Sequence, residues 1–115
     1  MSSVAWRRLV AEEIQLLSSE EDQIAYEVAV PHVDITAELL SGWFDDVYHP
    51  EAEGFTINFT SEELLALARF NSLYELNANE LPATRGTVRT WHASSAWQAV
   101  VTGARVVKAL LAGEA

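Results

Sequence analysis

From Val4 to Leu17 the apolar residues recur at helical spacing. Trp6, Leu9, Val10, Ile14, Leu16 and Leu17 share one side of a wheel, and Arg7, Arg8, Glu12 and Gln15 share the other. This is the pattern of an amphipathic helix. Glu13 falls inside the apolar side, which sets this helix at the edge of a core. Ser18-Ser19-Glu20-Glu21-Asp22 then reads as a helix start or a solvated turn. Over 24–30 the period changes: Ile24, Tyr26, Val28 and Val30 alternate with Ala25, Glu27 and Ala29. Period two with β-branched residues predicts a strand. The acid-rich start leaves a second helix as the alternative, and Pro31 ends either one.

Asp34 can cap a helix over about Ile35–Val47, whose apolar set is Ile35, Leu39, Leu40, Trp43, Phe44 and Val47. Gly42 weakens its middle by about 1 kcal/mol relative to Ala. Tyr48 to Gly54 is a loop by its Pro, Gly and charges. Phe55, Ile57 and Phe59 alternate with Thr56 and Asn58, which predicts a short strand able to pair with 24–30. Thr60-Ser61-Glu62-Glu63 is a capping box, opening a helix that runs to about Asn77. Its apolar residues occupy most of the wheel, so it is expected to be the central helix, contacted on two sides.

Asn79 to Gly86 reads as a loop, and Thr87–Trp91 as a short strand or a turn of helix. Ser94 or Ser95 caps a last helix, about Ala96–Ala112, with Trp97, Val100, Ala104, Val107 and Leu111 on its apolar side. Gly103 on that half permits close approach of a neighbouring helix. Arg105 and Lys108 complement the dipole at the C-terminal end, and Gly113 is the stop. The expected fold is helix-dominated α+β: about four helices around the central helix 60–77, with one or two short strands (24–30, 55–59). It becomes all-α if 24–30 is helical. Residues 1–115 are read as a single domain.

Composition supports a folded chain. Half of the 115 residues are apolar, with four Trp, four Phe and three Tyr. A chain of this length buries roughly two-thirds of its unfolded surface. The absence of Cys excludes disulfides and thiolate metal sites. Arg7 and Arg8 interrupt the N-terminal apolar run before it could serve as a signal peptide, and no stretch reaches the roughly 20 apolar residues of a membrane span. The expected location is cytoplasmic.

The formal charge is −10, unevenly distributed. Residues 20–80 hold fourteen acids against one base, Arg69, whereas 81–115 hold Arg85, Arg89, Arg105 and Lys108 against Glu114. Such a field steers a cationic partner. It disfavours nucleic acid, whose phosphates require a basic patch. The plain alternative is that the acids serve solubility.

Candidate chemistry is sparse. Asp45, Asp46, His49, Glu51 and Glu53 offer oxygen and nitrogen ligands within nine residues, but the spacing matches no established metal loop. His32 with Asp34, near Thr36 and Ser41, is a general-base pair only if geometry adds a nucleophile or a bound water. Trp91, His92 and Trp97 read as core anchors at a junction. No phosphate loop, nucleophile elbow or zinc signature is present. No catalytic residue, metal or cofactor is therefore assigned.

Trp43, Phe44 and Tyr48 lie among Asp45, Asp46, Glu51 and Glu53. Aromatic anchors ringed by one sign of charge are what protein–protein hot spots use. The alternative is that these rings pack inside. In size, acidity and lack of a catalytic motif the chain resembles antitoxins, immunity proteins and inhibitors as a type. The expectation is a non-enzymatic module, monomer or homodimer, that engages a basic protein through those seven residues. A metal-dependent protein built on the 45–53 loop and a self-assembling subunit are the alternatives.

Overall fold

The computed structural model describes residues 5–81 and 87–113. Helix α1 (Trp6–Leu17) is followed by α2 (Glu20–Ala29) and α3 (Ile35–Ser41), which continues directly into a π-helical segment, Gly42–Val47. A 3-10 turn (Thr56–Asn58) leads to α4 (Ser61–Ala78), and α5 (Val88–His92) to α6 (Ser95–Leu111). No strand occurs among the described residues, so the architecture is all-α.

Most helix starts follow from side chains that accept orphan backbone amides. Ser19 accepts from the Asp22 amide, Asp34 from Ala37, Thr87 from Thr90 and Ser94 from Ala96. At α4 the capping box forms in full: Thr60 Oγ1 accepts from the Glu63 amide at 3.1 Å, and Glu63 Oε1 accepts from the Thr60 amide at 2.9 Å. Gly113, at φ +76°, closes α6 in the left-handed conformation that favours glycine. The expected loop 79–86 lies largely outside the described residues, as does Val4.

Both predicted strands are corrected. Residues 24–29 belong to α2, with Val30 as its C-cap; the Ser19 cap and the acids Glu20, Glu21 and Asp22 favour helix at the positive end of the dipole. The residues that alternate in sequence do not share a buried face: Ile24, Tyr26 and Val30 are half-buried, while Val28 is 74 % exposed. Residues 55–59 turn instead of extending. Phe55 and Phe59 are buried together, their centroids 5.1 Å apart, and Ile57 between them points to solvent. Each segment was the other's only ladder partner, and a strand without a partner leaves its backbone groups unpaired.

One buried core joins the helices, centred on Trp43, Phe70, Tyr74 and Trp97 with Ile14, Leu39, Leu67 and Val100 around them. Gly103 lets α6 close on α4: a β-carbon there would stand 3.3 Å from Phe70 and from Leu73. Three polar ties lock the elements together. Arg7 donates from both terminal nitrogens to the two oxygens of Glu63, each at 2.8 Å, and also to the carbonyls of Asn58 and Leu111. The fully buried Gln23 donates to the carbonyls of Leu16 and Leu17, and its oxygen accepts from Trp97 Nε1 and His92 Nε2, both at 3.0 Å. Tyr74 donates its hydroxyl to the Leu39 carbonyl at 2.9 Å.

Candidate acidic groove

The predicted docking residues separate into two groups. Trp43 is fully buried; its ring lies parallel to Tyr48 at 5.1 Å, meets the edge of Phe70 at 5.0 Å, and donates Nε1 to Asn71. Phe44 is half-buried against Tyr74, and Tyr48 half-buried against Trp43 and Phe55. The π-helical turn explains this packing. In an α-helix residues five apart lie well over a quarter-turn apart, but here the Tyr48 amide donates to the Trp43 carbonyl five residues back, at 2.9 Å, and the two rings stack. The aromatic anchor of the expected hot spot is thus corrected: Trp43 is a core residue, and its neighbours line the core's edge. Asp45, Asp46, Glu51 and Glu53 all remain exposed.

The 45–53 loop organises itself. His49 Nε2 donates to the Asp45 carbonyl at 2.7 Å, and Nδ1 lies 3.3 Å from Glu51. Gly54, at φ +83°, turns the chain back. Among the described residues no three carboxylates or imidazoles converge as a metal site requires. Asp34 spends its carboxylate on the Thr36 hydroxyl and the Ala37 amide, both at the start of α3. His32 is exposed beside it. His92 is held by Gln23, with Nδ1 3.7 Å from Glu20, and Trp91 and Trp97 are buried.

The structure brings together a different set of acids. A groove of ≈ 490 Å³ runs between α1, α3 and the π-helical turn, lined by Glu12, Glu13, Glu38 and Asp46 with Leu9, Leu16, Tyr26, Gly42 and Val47. Among the described residues its lining holds no base. Glu12, Glu38 and Asp46 are exposed at the rim; Glu12 also pairs with Arg8 one turn away, at 3.1 Å. Glu13 lies deeper. Its Oε2 is sealed from solvent without a hydrogen-bond partner among the described residues. Burial, and secondly the charges of Asp46 and Glu38, push its carboxyl up to about 7.

Of the residues expected from sequence, only Asp46 belongs to this groove. No sequence motif groups Glu12, Glu13 and Glu38; the signal the sequence offers is Glu13, an acid on the apolar side of α1. No protein-family model matches the chain, and no curated protein or solved structure is significantly similar to it.

Proposed function

We propose that the protein is a non-enzymatic binding module that receives a cationic element of a partner protein, a lysine or arginine side chain presented by a basic surface, in the groove between α1, α3 and the π-helical turn. The observation that carries this reading is Glu13: a carboxyl oxygen sealed at the groove with no hydrogen-bond partner among the described residues, and three further carboxylates at the rim. A carboxylate largely withdrawn from water is costly to hold ionised, and a guanidinium or ammonium group seated in the groove beside it offsets that cost. The apolar walls, Leu9, Leu16 and Val47, suit the aliphatic stem of such a side chain. The acidic field of residues 20–80 would steer the approach and make association salt-sensitive.

Pairing Glu13 with a cation favours its ionised form, so binding would release a proton near neutrality and strengthen as pH rises through about 7. The test is an NMR titration of the protein with an arginine-rich peptide, repeated at increasing salt and on the variant Glu12→Gln/Glu38→Gln/Asp46→Asn. Shifts are expected at groove residues, weakening with salt and lost in the variant. Shifts spread evenly over the surface, or an affinity unmoved by the three substitutions, would refute the reading.

A further inference from the structure

The sequence of α4 is apolar around most of its circumference, a pattern that calls for cover on more than one side. Within the chain the cover comes from one side: Leu67, Phe70 and Tyr74 face the core. On the outer side Glu62, Leu65, Arg69, Ser72 and Leu76 follow one another at alternating spacings of three and four, which places them in one stripe. Leu65 is 52 % exposed and Leu76 71 %. Beside this stripe, where Gly103 lets α6 approach, lies a shallow apolar groove of ≈ 300 Å³ formed by Ala66, Phe70, Leu73, Gly103, Val106 and Val107, with Arg69 at its rim. Val106 is 64 % exposed.

The charges on this face narrow what could cover it. Arg69 is the only base among residues 20–80 and makes no hydrogen bond or ion pair with a described residue; Glu62 stands two turns before it on the same stripe. A face carrying both signs, two turns apart, complements itself when turned antiparallel. A basic partner would instead meet Arg69 with like charge. We propose that two copies of the chain associate here about a two-fold axis passing near Leu65 and Ala66. Glu62 of each copy then faces Arg69 of the other, and each Leu65 enters the groove beside Val106 of the other copy. Such an isologous contact uses every complementary feature twice. It is independent of the acidic groove, with which it shares no lining residue.

Light scattering coupled to size exclusion, over a wide range of concentration, tests the assembly. The weight-average mass of the wild type is expected to rise from the monomer value toward twice that value. Glu62→Lys and Arg69→Glu are both exposed substitutions; each alone sets like charges across the axis and should hold the mass at the monomer value. Mixed in equal amounts, they restore both opposite-charge pairs and should recover the dimer mass. As a reading that needs no variant, the methyl resonances of Leu65 and Val106 should shift on dilution of the wild type. A monomer at every concentration, dimers that persist in both single variants, a mixture that stays monomeric, or dilution shifts confined to other residues would each overturn the proposal.

Discussion

Glu13 lies with its carboxylate over Gly42, so close that a β-carbon on residue 42 would stand 2.8 Å from Oε2. The glycine that weakens the helix 35–47 by intrinsic propensity is therefore the floor on which a buried acid rests. Gly42 adopts ordinary right-handed helical angles, φ −57° and ψ −44°. An alanine there meets no backbone strain, only the mobile end of one side chain.

Gly42→Ala is expected to displace the Glu13 carboxylate toward solvent. Two effects then point the same way at neutral pH: about 1 kcal/mol from helix propensity, and relief of the buried acid. Chemical denaturation above pH 7 should find the variant more stable than the wild type, while its affinity for a cationic peptide falls. A destabilised variant would mean that the carboxylate cannot move aside.

The pH dependence of stability should carry the mark of Glu13. Its carboxyl ionises near 4.5 in the unfolded chain and near 7 in the folded one. Between those values the folded state holds the extra proton, so stability falls as pH rises through the window, by about 3 kcal/mol in all. Below the window both states are protonated and the loss vanishes. Glu13→Gln removes the titrating group, so urea denaturation of this variant should show a flatter profile from pH 4.5 to 7. An unchanged slope would count against a buried Glu13.

Glu63 titrates in the opposite sense. The paired hydrogen bonds from Arg7 come first in holding its carboxyl down to about 2, against the opposing effect of burial. Its contribution is present above the usual carboxylate range and is lost as pH falls toward 2. Arg7→Ala should remove this acid limb. It leaves a carboxylate with only 9 % side-chain exposure without its main partner, and should lower stability by about 2 kcal/mol. Arg7→Lys should recover part of that but lose the two-pronged grip. Denaturation melts of the three proteins across acid pH check both points.

Gln23 is sealed and bonded to four groups on three other elements. Gln23→Leu keeps the volume roughly constant but strands the Trp97 and His92 donors and frees the Leu16 and Leu17 carbonyls. A loss of about 3 kcal/mol is expected, with amide exchange accelerated at the α1–α2 junction. A neutral result would show that water or repacking replaces the amide.

Local signals carried well into the structure. The Thr60–Glu63 box, the Asp34 cap, Ser94, the amphipathic α6 and the Gly113 stop all lie where the residues place them, because a cap is satisfied within a few residues of itself. The alternation over 24–30 misled because seven residues of period two fit a strand only when a second strand stands beside them, and Phe55–Phe59 turned instead. Trp43 and Phe44 looked equally available on a wheel. The π-helical turn assigned Trp43 to the interior, and no local residue pattern announced that turn.

By itself the sequence determined that this chain folds around an aromatic, helix-rich core, where most helices begin, and that its negative charge gathers between residues 20 and 80. Tertiary structure alone decided that Glu13, Glu38 and Asp46 line one groove and that Trp43 does not face solvent. The reason is range. Helix propensity, caps and charge act between near neighbours, whereas a groove exists only once α1 has been laid against α3 and the turn that follows it, bringing residues 13 and 42 into contact across almost thirty positions of chain.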